Sequence, residues 1–182
     1  MESSVGVVEF RSIAVGISSV DVIVKASNVS IVDAKTICPG KYYIVFTGSA
    51  ADVDNSYKTI INKNDDFIID GCTIMNVYPQ LLAALTQTSV IGELNAIGVI
   101  ETLTSPSIFI AADTAVKASD VDLVEIRVAR ALGGKNFCVI NGNISSVKES
   151  VMAGIQYAKE KDFLVDYQMI ASPHPDLYRA IL

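Results

Sequence analysis

The stretch VKASNV, Val24 to Val29, occurs again as VKASDV, Val116 to Val121, 92 residues further along the chain. At the same spacing VGVVE, which begins at Val5, is matched by IGVIE, which begins at Ile97. Two matches that share one spacing are hard to obtain by chance. They indicate that the chain is a tandem repeat of one folding unit.

The second repeat is slightly longer than the first. FIID, Phe67 to Asp70, is matched by FLVD, Phe163 to Asp166, at a spacing of 96, which is four residues more than before. Pro79 and Pro175 keep this larger spacing. We therefore predict two domains of the same architecture, residues 1–91 and residues 92–182.

Each repeat is predicted to have the order β-α-β-β-α-β followed by a short helix. The predicted elements of the first repeat are a strand at Val5–Glu9, a helix at Ile13–Ser27, strands at Ser30–Ile37 and Tyr42–Thr47 around the turn CPGK, a helix from Gly48-Ser49 to about Lys63, a strand at Phe67–Val77 and a helix opened by Pro79. In the second repeat, Ser105 is the expected N-cap and Pro106 the first helical residue. This order predicts an α/β (α+β, ferredoxin-like) fold, with an antiparallel sheet and helices on one face.

Composition restricts the class of protein. Apolar residues make up 51% of the 182 residues, and the mean hydropathy is +0.42, yet no apolar run reaches the roughly 18 residues of a membrane helix. A chain this apolar is expected to bury surface against other copies of itself. The net charge of −6 argues against nucleic acid and anionic membranes as partners. Three cysteines, an odd number, fit a reducing cytosol.

The two repeats carry motifs that resemble a known family. The pattern GVVE…VKASNV…GK…VFTG, followed by GVIE…VKASDV…GGK…VINGNISSVKESVMAG, is similar to two copies of the bacterial microcompartment shell (BMC) domain. Single-domain members form flat hexamers that tile a polyhedral shell around enzymes. The resemblance implies that this chain forms a homotrimer of six domains, a pseudo-hexamer, beside neighbouring BMC shell proteins in the shell of a cytoplasmic compartment.

The resemblance also implies which residues line the central opening of the trimer, because the hairpin turn after the second strand of each domain lies there. The implied pore-lining residues are Ile37, Cys38, Pro39, Gly40 and Lys41 in the first repeat and Arg130, Ala131, Leu132, Gly133, Gly134 and Lys135 in the second. The second turn is two residues longer than the first. It contains no cysteine, whereas the first turn contains Cys38.

Three copies of Cys38 would converge at the axis of such a trimer. Soft sulfur ligands select iron–sulfur clusters, zinc or copper(I). A [4Fe–4S] cluster normally takes four cysteines, so a threefold site would hold three irons and leave the fourth to water or another ligand. The CPGK turn also resembles that of tandem members of the family with an iron–sulfur cluster at the pore. We therefore predict one [4Fe–4S] cluster per trimer, shared by three chains and prone to loss in air.

Other candidate residues have simpler interpretations. Cys72 and Cys138 lie within apolar strand patterns and are predicted to be core residues. Lys25 and Lys117 occupy matching helix positions, and the resemblance implies that they contact neighbouring shell tiles. The single histidine, His174, lies between two prolines, and no nucleophile–base pair is recognisable, so the chain is predicted not to be an enzyme.

Three functions remain open at this point. The first is a shell building block whose pore cluster transfers electrons across the shell or delivers clusters, with an encapsulated redox enzyme as a further partner. The second is a structural shell tile with a metabolite pore and no cluster, in which Cys38 is incidental. The third is a free-standing soluble metal-binding redox module that never joins a shell.

Overall fold

The computed structural model describes residues 4–90, 95–129 and 131–181. The first repeat contains, in order, β1 (Ser4–Phe10), α1 (Ile13–Ala26), β2 (Val29–Ile37), β3 (Lys41–Gly48), α2 (Ala50–Asn64), a 3-10 turn (Asp65–Phe67), β4 (Ile68–Ile74) and α3 (Gln80–Leu85). The second contains β5 (Ala96–Thr102), α4 (Ser105–Ala118), β6 (Asp122–Arg127), β7 (Asn136–Gly142), α5 (Ile144–Glu160), β8 (Leu164–Ile170) and α6 (Pro175–Ile181). The predicted order of elements is confirmed in both repeats.

Each repeat forms one four-stranded antiparallel sheet. The strand orders are β2-β3-β1-β4 and β6-β7-β5-β8, so the first strand of each repeat lies inside its sheet. The pairing is also repeated, because Glu9 lies opposite Asp70 and Glu101 lies opposite Asp166. This is the split βαβ arrangement that the order of elements predicts, and the fold class is confirmed.

The core of the first repeat lies between its sheet and the two long helices. Alternate residues of a strand point to the same face, so one face of β1 and β3 meets α1 and α2. The buried members of this core are Val8, Phe10, Ile23, Tyr42, Ile44, Phe46, Val53 and Ile60. Their periodicity, two along the strands and 3.6 along the helices, is what made the elements predictable.

In the second repeat, helices pack on both faces of the sheet. A Cβ added to Gly98 or Gly154 would meet Val151 or Ile100 at less than 3.0 Å, which places α5 closely against β5 on one face. On the opposite face, Leu177 of α6 packs against the cluster of Ile97, Val124 and Val139. The prediction of helices on one face therefore holds for the two long helices and not for α6.

Two elements have predicted ends that are wrong by one to three residues. Helix α4 is capped by Thr104, whose Oγ1 accepts a hydrogen bond from Ser107 N (3.3 Å), and not by Ser105, which is its first residue. Strand β4 begins after Phe67 and ends at Ile74. Its end is followed by Asn76, which has a φ of +51°, a left-handed conformation that a continuing strand does not permit.

The contacts divide the chain into two compact units. Unit 1 contains the first repeat to Val77 together with Thr104–Ser107 and Val128–Lys135, and unit 2 contains the remainder. Helix α3 therefore belongs to unit 2, where Gln80 Oε1 accepts a hydrogen bond from Leu123 N of β6 (3.0 Å). In the described part of the chain, none of the helices combines the length and apolar character that crossing a bilayer requires.

Candidate metal-binding turn

Cys38 lies in a short exposed turn between two strands. Strand β2 ends at Ile37 and β3 begins at Lys41, so Cys38, Pro39 and Gly40 form the connection. The Cys38 side chain is half-buried, whereas Pro39 and Gly40 are exposed. Gly40 has a φ of +71° and no atom within 4 Å of the position of a Cβ, so space is open in front of the turn. The turn thus presents a partly accessible thiol two residues before a glycine that faces open space.

The turn of the second repeat holds the backbone of Cys38. Within unit 1, Cys38 N donates a hydrogen bond to Ala129 O (2.8 Å). Gly134 is buried against the same turn, because a Cβ there would lie 3.1 Å from Pro39 Cδ and 3.3 Å from Cys38 O. The sequence paired these turns as repeat counterparts and gave no signal that they contact each other within one chain.

We expect Gly134→Ala to lower the free energy of unfolding by about 2 kcal/mol, because alanine at a φ of +90° is strained and its methyl group meets the Cys38 turn. Gly133→Ala is the matched control, since Gly133 also has a positive φ but faces open space. Urea unfolding of both variants measures the difference. Equal losses in the two variants would show that packing of Gly134 on Cys38 contributes nothing.

The remaining predicted pore-lining residues differ in exposure. Ile37 is buried, Leu132 is half-buried, and the exposed members are Ala131, Gly133 and Lys135. Lys135 N donates to Leu132 O (3.2 Å), which closes a tight turn. Arg130 lies outside the described residues. The assignment of these residues to a pore stays a prediction.

Lys41, one of the predicted pore-lining residues, follows the turn at the start of β3. Its Nζ lies 2.6 Å from Oε1 of Glu9, and the two side chains are 18% and 0% exposed. The ammonium therefore forms a largely buried ion pair with a carboxylate in the middle of the sheet. Glu9 was missed as a partner, although an acidic residue inside the apolar run VGVVEF is a signal that could have identified it, since buried charges are usually paired.

Glu9 and Asp70, opposite each other on β1 and β4, bind the start of helix α4. Glu9 Oε2 accepts a hydrogen bond from Ser105 N (2.6 Å). Asp70 Oδ2 accepts hydrogen bonds from Thr104 Oγ1 (2.5 Å) and Ser107 Oγ (3.1 Å). We call these contacts, all within unit 1, the carboxylate–helix joint. It places negative charge at the positive end of the helix dipole.

The pKa of Asp70 is raised above its ordinary value of 3.8, chiefly because burial disfavours the charged form; its hydrogen bonds oppose this and the Glu9 carboxylate adds to it. A raised folded-state pKa makes folding more favourable below the ordinary pKa, and this contribution is lost as pH rises through the folded-state value.

We therefore expect the stability of the wild type, relative to Asp70→Asn, to increase as pH falls from 7 towards about 4. The amide side chain does not titrate, so subtraction of the two free energies of unfolding isolates the Asp70 carboxyl. Urea titrations at several pH values measure the difference. If the stability of the wild type relative to Asp70→Asn instead decreases as the pH is lowered, the hydrogen bonds to Asp70 outweigh its burial.

Cys72 and Cys138 are confirmed as core residues. Cys72 in β4 is 7% exposed, and its Sγ lies 3.8 Å from Pro106 O. Cys138 in β7 is fully buried, and burial raises its pKa to about 12. Both thiols are buried, and among the described residues no group of three or more His, Cys, Asp or Glu side chains could hold a metal ion. One chain therefore offers a single accessible thiol, and a cluster at Cys38 needs further chains.

The two predicted edge lysines have different surroundings. Lys25 forms an exposed ion pair with Asp21 (2.7 Å), so its end of α1 is accessible. Lys117 forms the equivalent pair with Asp113 (2.6 Å), but Asp113 is buried and also accepts a hydrogen bond from Tyr78 N (2.8 Å). The two positions, alike in sequence, are therefore not equivalent in one chain, and their contacts with other tiles stay a prediction.

These features define a duplicated split-βαβ protein whose candidate site is an exposed turn with one thiol. A family model for the BMC domain matches the chain twice, at residues 4–77 and 96–173. The bacterial microcompartment shell protein PduT of Citrobacter freundii is 32% identical over all of this chain and 99% of its own length. The chain therefore belongs to the BMC-domain family of bacterial microcompartment shell proteins, with two domains in tandem.

Solved structures agree with this assignment. A microcompartment protein from Desulfitobacterium hafniense DCB is 40% identical, with a TM-score of 0.90 over 98% of this chain and 99% of the other. A fused, permuted hexameric shell protein from the RMM microcompartment shares the fold, with a TM-score of 0.62 at 15% identity over 88% and 85% of the two chains. At the level of sequence alone, the carboxysome shell protein CcmK2 of Synechococcus elongatus is 37% identical over 84 residues, which are 45% of this chain and 80% of CcmK2.

Proposed function

We propose that this shell building block forms a homotrimer in which three copies of Cys38 surround a central pore and bind one [4Fe–4S] cluster. The observation that carries the proposal is the position of Cys38. It is the cysteine that lies at a turn, half-buried beside open space, whereas Cys72 and Cys138 lie within strands and are buried. A bound cluster would supply one-electron transfer, for conduction across the shell or for cluster delivery.

The chain's own contribution is to fix the backbone that carries the thiol. The hydrogen bond to Ala129 O and the packing of Gly134 restrain Cys38 from the second-repeat side. The ion pair between Lys41 and Glu9 anchors the first residue of β3 on the other side of the turn. A preorganised thiol loses less conformational freedom when three chains share one metal group.

The proposed partners follow from the same assembly. A shell building block contacts neighbouring shell proteins, and the exposed Lys25 on α1 is a candidate for such a contact. Electron transfer would require an encapsulated redox enzyme on one side. The shell itself encloses a compartment in the cytoplasm, and the role of the chain in it is structural and not catalytic.

A structural tile with a metabolite pore is the second candidate. The observation that favours it is that the described residues of one chain contain no group of three or more His, Cys, Asp or Glu side chains that could hold a metal ion. In this case the open space around Gly40 and Gly133 would serve passage of small molecules. The two candidates share the trimer and differ in the metal.

The deciding experiment is iron and acid-labile sulfide per trimer in protein purified without oxygen, with the molecular mass measured on the same sample. About four irons and four sulfides, with visible absorbance that bleaches on reduction, are expected for a cubane cluster. A trimer without iron or sulfide, even after anaerobic reconstitution, would exclude the cluster and support the structural tile with a metabolite pore. A protein that is not a trimer would overturn both candidates as stated.

A further inference from the structure

The carboxylate–helix joint is made once within the described chain, but the sequence contains its parts twice. In unit 1, Glu9 and Asp70 hold the first turn of α4 through Thr104, Ser105 and Ser107. Buried hydrogen bonds to charged groups are among the stronger polar contacts in proteins. The joint therefore fixes where α4 begins.

The second sheet carries the same pair of carboxylates. Glu101 and Asp166 lie opposite each other on β5 and β8, as Glu9 and Asp70 do on β1 and β4. The local geometry is also repeated, since Asp166 Oδ1 accepts a hydrogen bond from Tyr167 N (2.8 Å), as Asp70 Oδ1 does from Gly71 N (2.9 Å). Asp166 is exposed, whereas Asp70 is half-buried against α4.

The first repeat carries the matching helix. Helix α1 is the counterpart of α4, and both have 14 residues. Ser12 Oγ accepts a hydrogen bond from Val15 N at 3.3 Å, the same distance as between Thr104 Oγ1 and Ser107 N. The first turn of α1 therefore offers a capping hydroxyl and backbone N–H groups like those that Asp70 and Glu9 bind in α4, whereas Val15 has no counterpart of the Ser107 hydroxyl.

Equivalent side chains of α1 and α4 differ in solvent exposure. The α1 residues Ile13, Ile17 and Val24 are 36%, 56% and 42% exposed. The α4 residues at the equivalent positions, Ser105, Phe109 and Val116, are at most 4% exposed. We call Ile13, Ile17 and Val24 the apolar stripe of α1. Large side chains exposed along one helix face mark an interaction surface.

We propose that Glu101 and Asp166 of one chain bind the first turn of α1, residues 12–15, in a neighbouring copy of the same chain, and that this contact covers the apolar stripe. The inference deepens the proposed homotrimer and rests on it. Three features support this contact: the joint observed in unit 1, the negative charge of the two carboxylates, and the hydrogen-bond donors at the start of α1. Such a contact joins two different surfaces head to tail, and an interface of this kind closes a ring when the rotation from one copy to the next is one third of a turn.

A disulfide test can locate this contact. Two chains of distinguishable mass are co-expressed, one with Cys38→Ser and Ser12→Cys, the other with Cys38→Ser and Asp166→Cys. Both new thiols lie at accessible positions, and the remaining cysteines are buried. Under mild oxidation we expect a covalent heterodimer on a non-reducing gel. In a control pair, Glu160→Cys at the exposed end of α5 replaces Asp166→Cys and should give no such product.

A charge reversal supplies an independent measurement. We expect Asp166→Lys to weaken association by about tenfold or more, because it places a cation at the helix N-terminus. Native mass spectrometry over a dilution series measures this. If the wild type is a trimer, but the two cysteine-bearing chains give no heterodimer and Asp166→Lys does not weaken association, the inference is overturned and the proposed trimer stands. A wild type that is monomeric would instead overturn the proposed trimer, and the inference with it.

Discussion

In the proposed trimer, replacing Cys38 by serine is expected to lower the iron and sulfide found after anaerobic purification from about four of each to background. Three of the cluster irons would be held by Cys38 thiolates, and a serine hydroxyl is a harder, far less acidic group. The trimer itself should persist, because the contacts that hold this turn are the backbone bond from Cys38 N to Ala129 O and the packing of Gly134, and neither involves the sulfur.

The measurement compares metal and sulfide content, visible absorbance and molecular mass of the wild type and the variant. Cys72→Ala is the matched control, since it also removes a thiol but from a buried strand position, and it should keep the cluster. Retention of iron in the Cys38→Ser trimer would place any metal elsewhere. Loss of the trimer in this variant would contradict the separation between assembly and metal binding.

Glu9→Ala is expected to lower the free energy of unfolding by about 3 kcal/mol. The change leaves the Lys41 ammonium, 18% exposed, without its carboxylate. It also removes the acceptor that Glu9 Oε2 provides for Ser105 N. Breaking one side of a buried ion pair costs more than the pair itself contributes, because the remaining charge stays desolvated. Urea unfolding followed by circular dichroism measures the loss.

Asp21→Ala supplies the comparison for this prediction. Asp21 also pairs with a lysine, Lys25, but the two side chains are 62% and 73% exposed. Water screens such a pair, so its loss should cost less than about 0.5 kcal/mol. Similar costs for Glu9→Ala and Asp21→Ala would mean that the Glu9–Lys41 pair is more hydrated than its burial indicates.

The sequence was sufficient for the elements and the topology class. The repeat around VKASNV established two equivalent units, and the apolar periodicity of β1, α1 and β3 placed each element to within a few residues. These features depend on interactions between residues close in the chain and on which face of an element is apolar. The turn at Cys38 was predictable for the same reason, since Pro39 and Gly40 mark it locally.

Other features required the tertiary structure. The family resemblance assigned Lys41 to the pore-lining turn, and only the structure shows that its ammonium binds Glu9, 32 residues away in sequence. The repeat predicted that Lys25 and Lys117 are equivalent, and the structure distinguishes them through the buried Asp113 beside Lys117. Sequence similarity between repeats reports the shared fold and not the different neighbours that each repeat has.

What the sequence by itself determined is therefore the duplicated fold, the family to which it belongs, and the one thiol at a turn. What only the tertiary structure decided is the carboxylate–helix joint, the restraint of Cys38 by Ala129 and Gly134, and the exposure of α1 where α4 is buried. The physical reason is distance along the chain. Glu9 and Ser105 are separated by 96 residues, and no local pattern specifies a contact between residues so far apart in the chain.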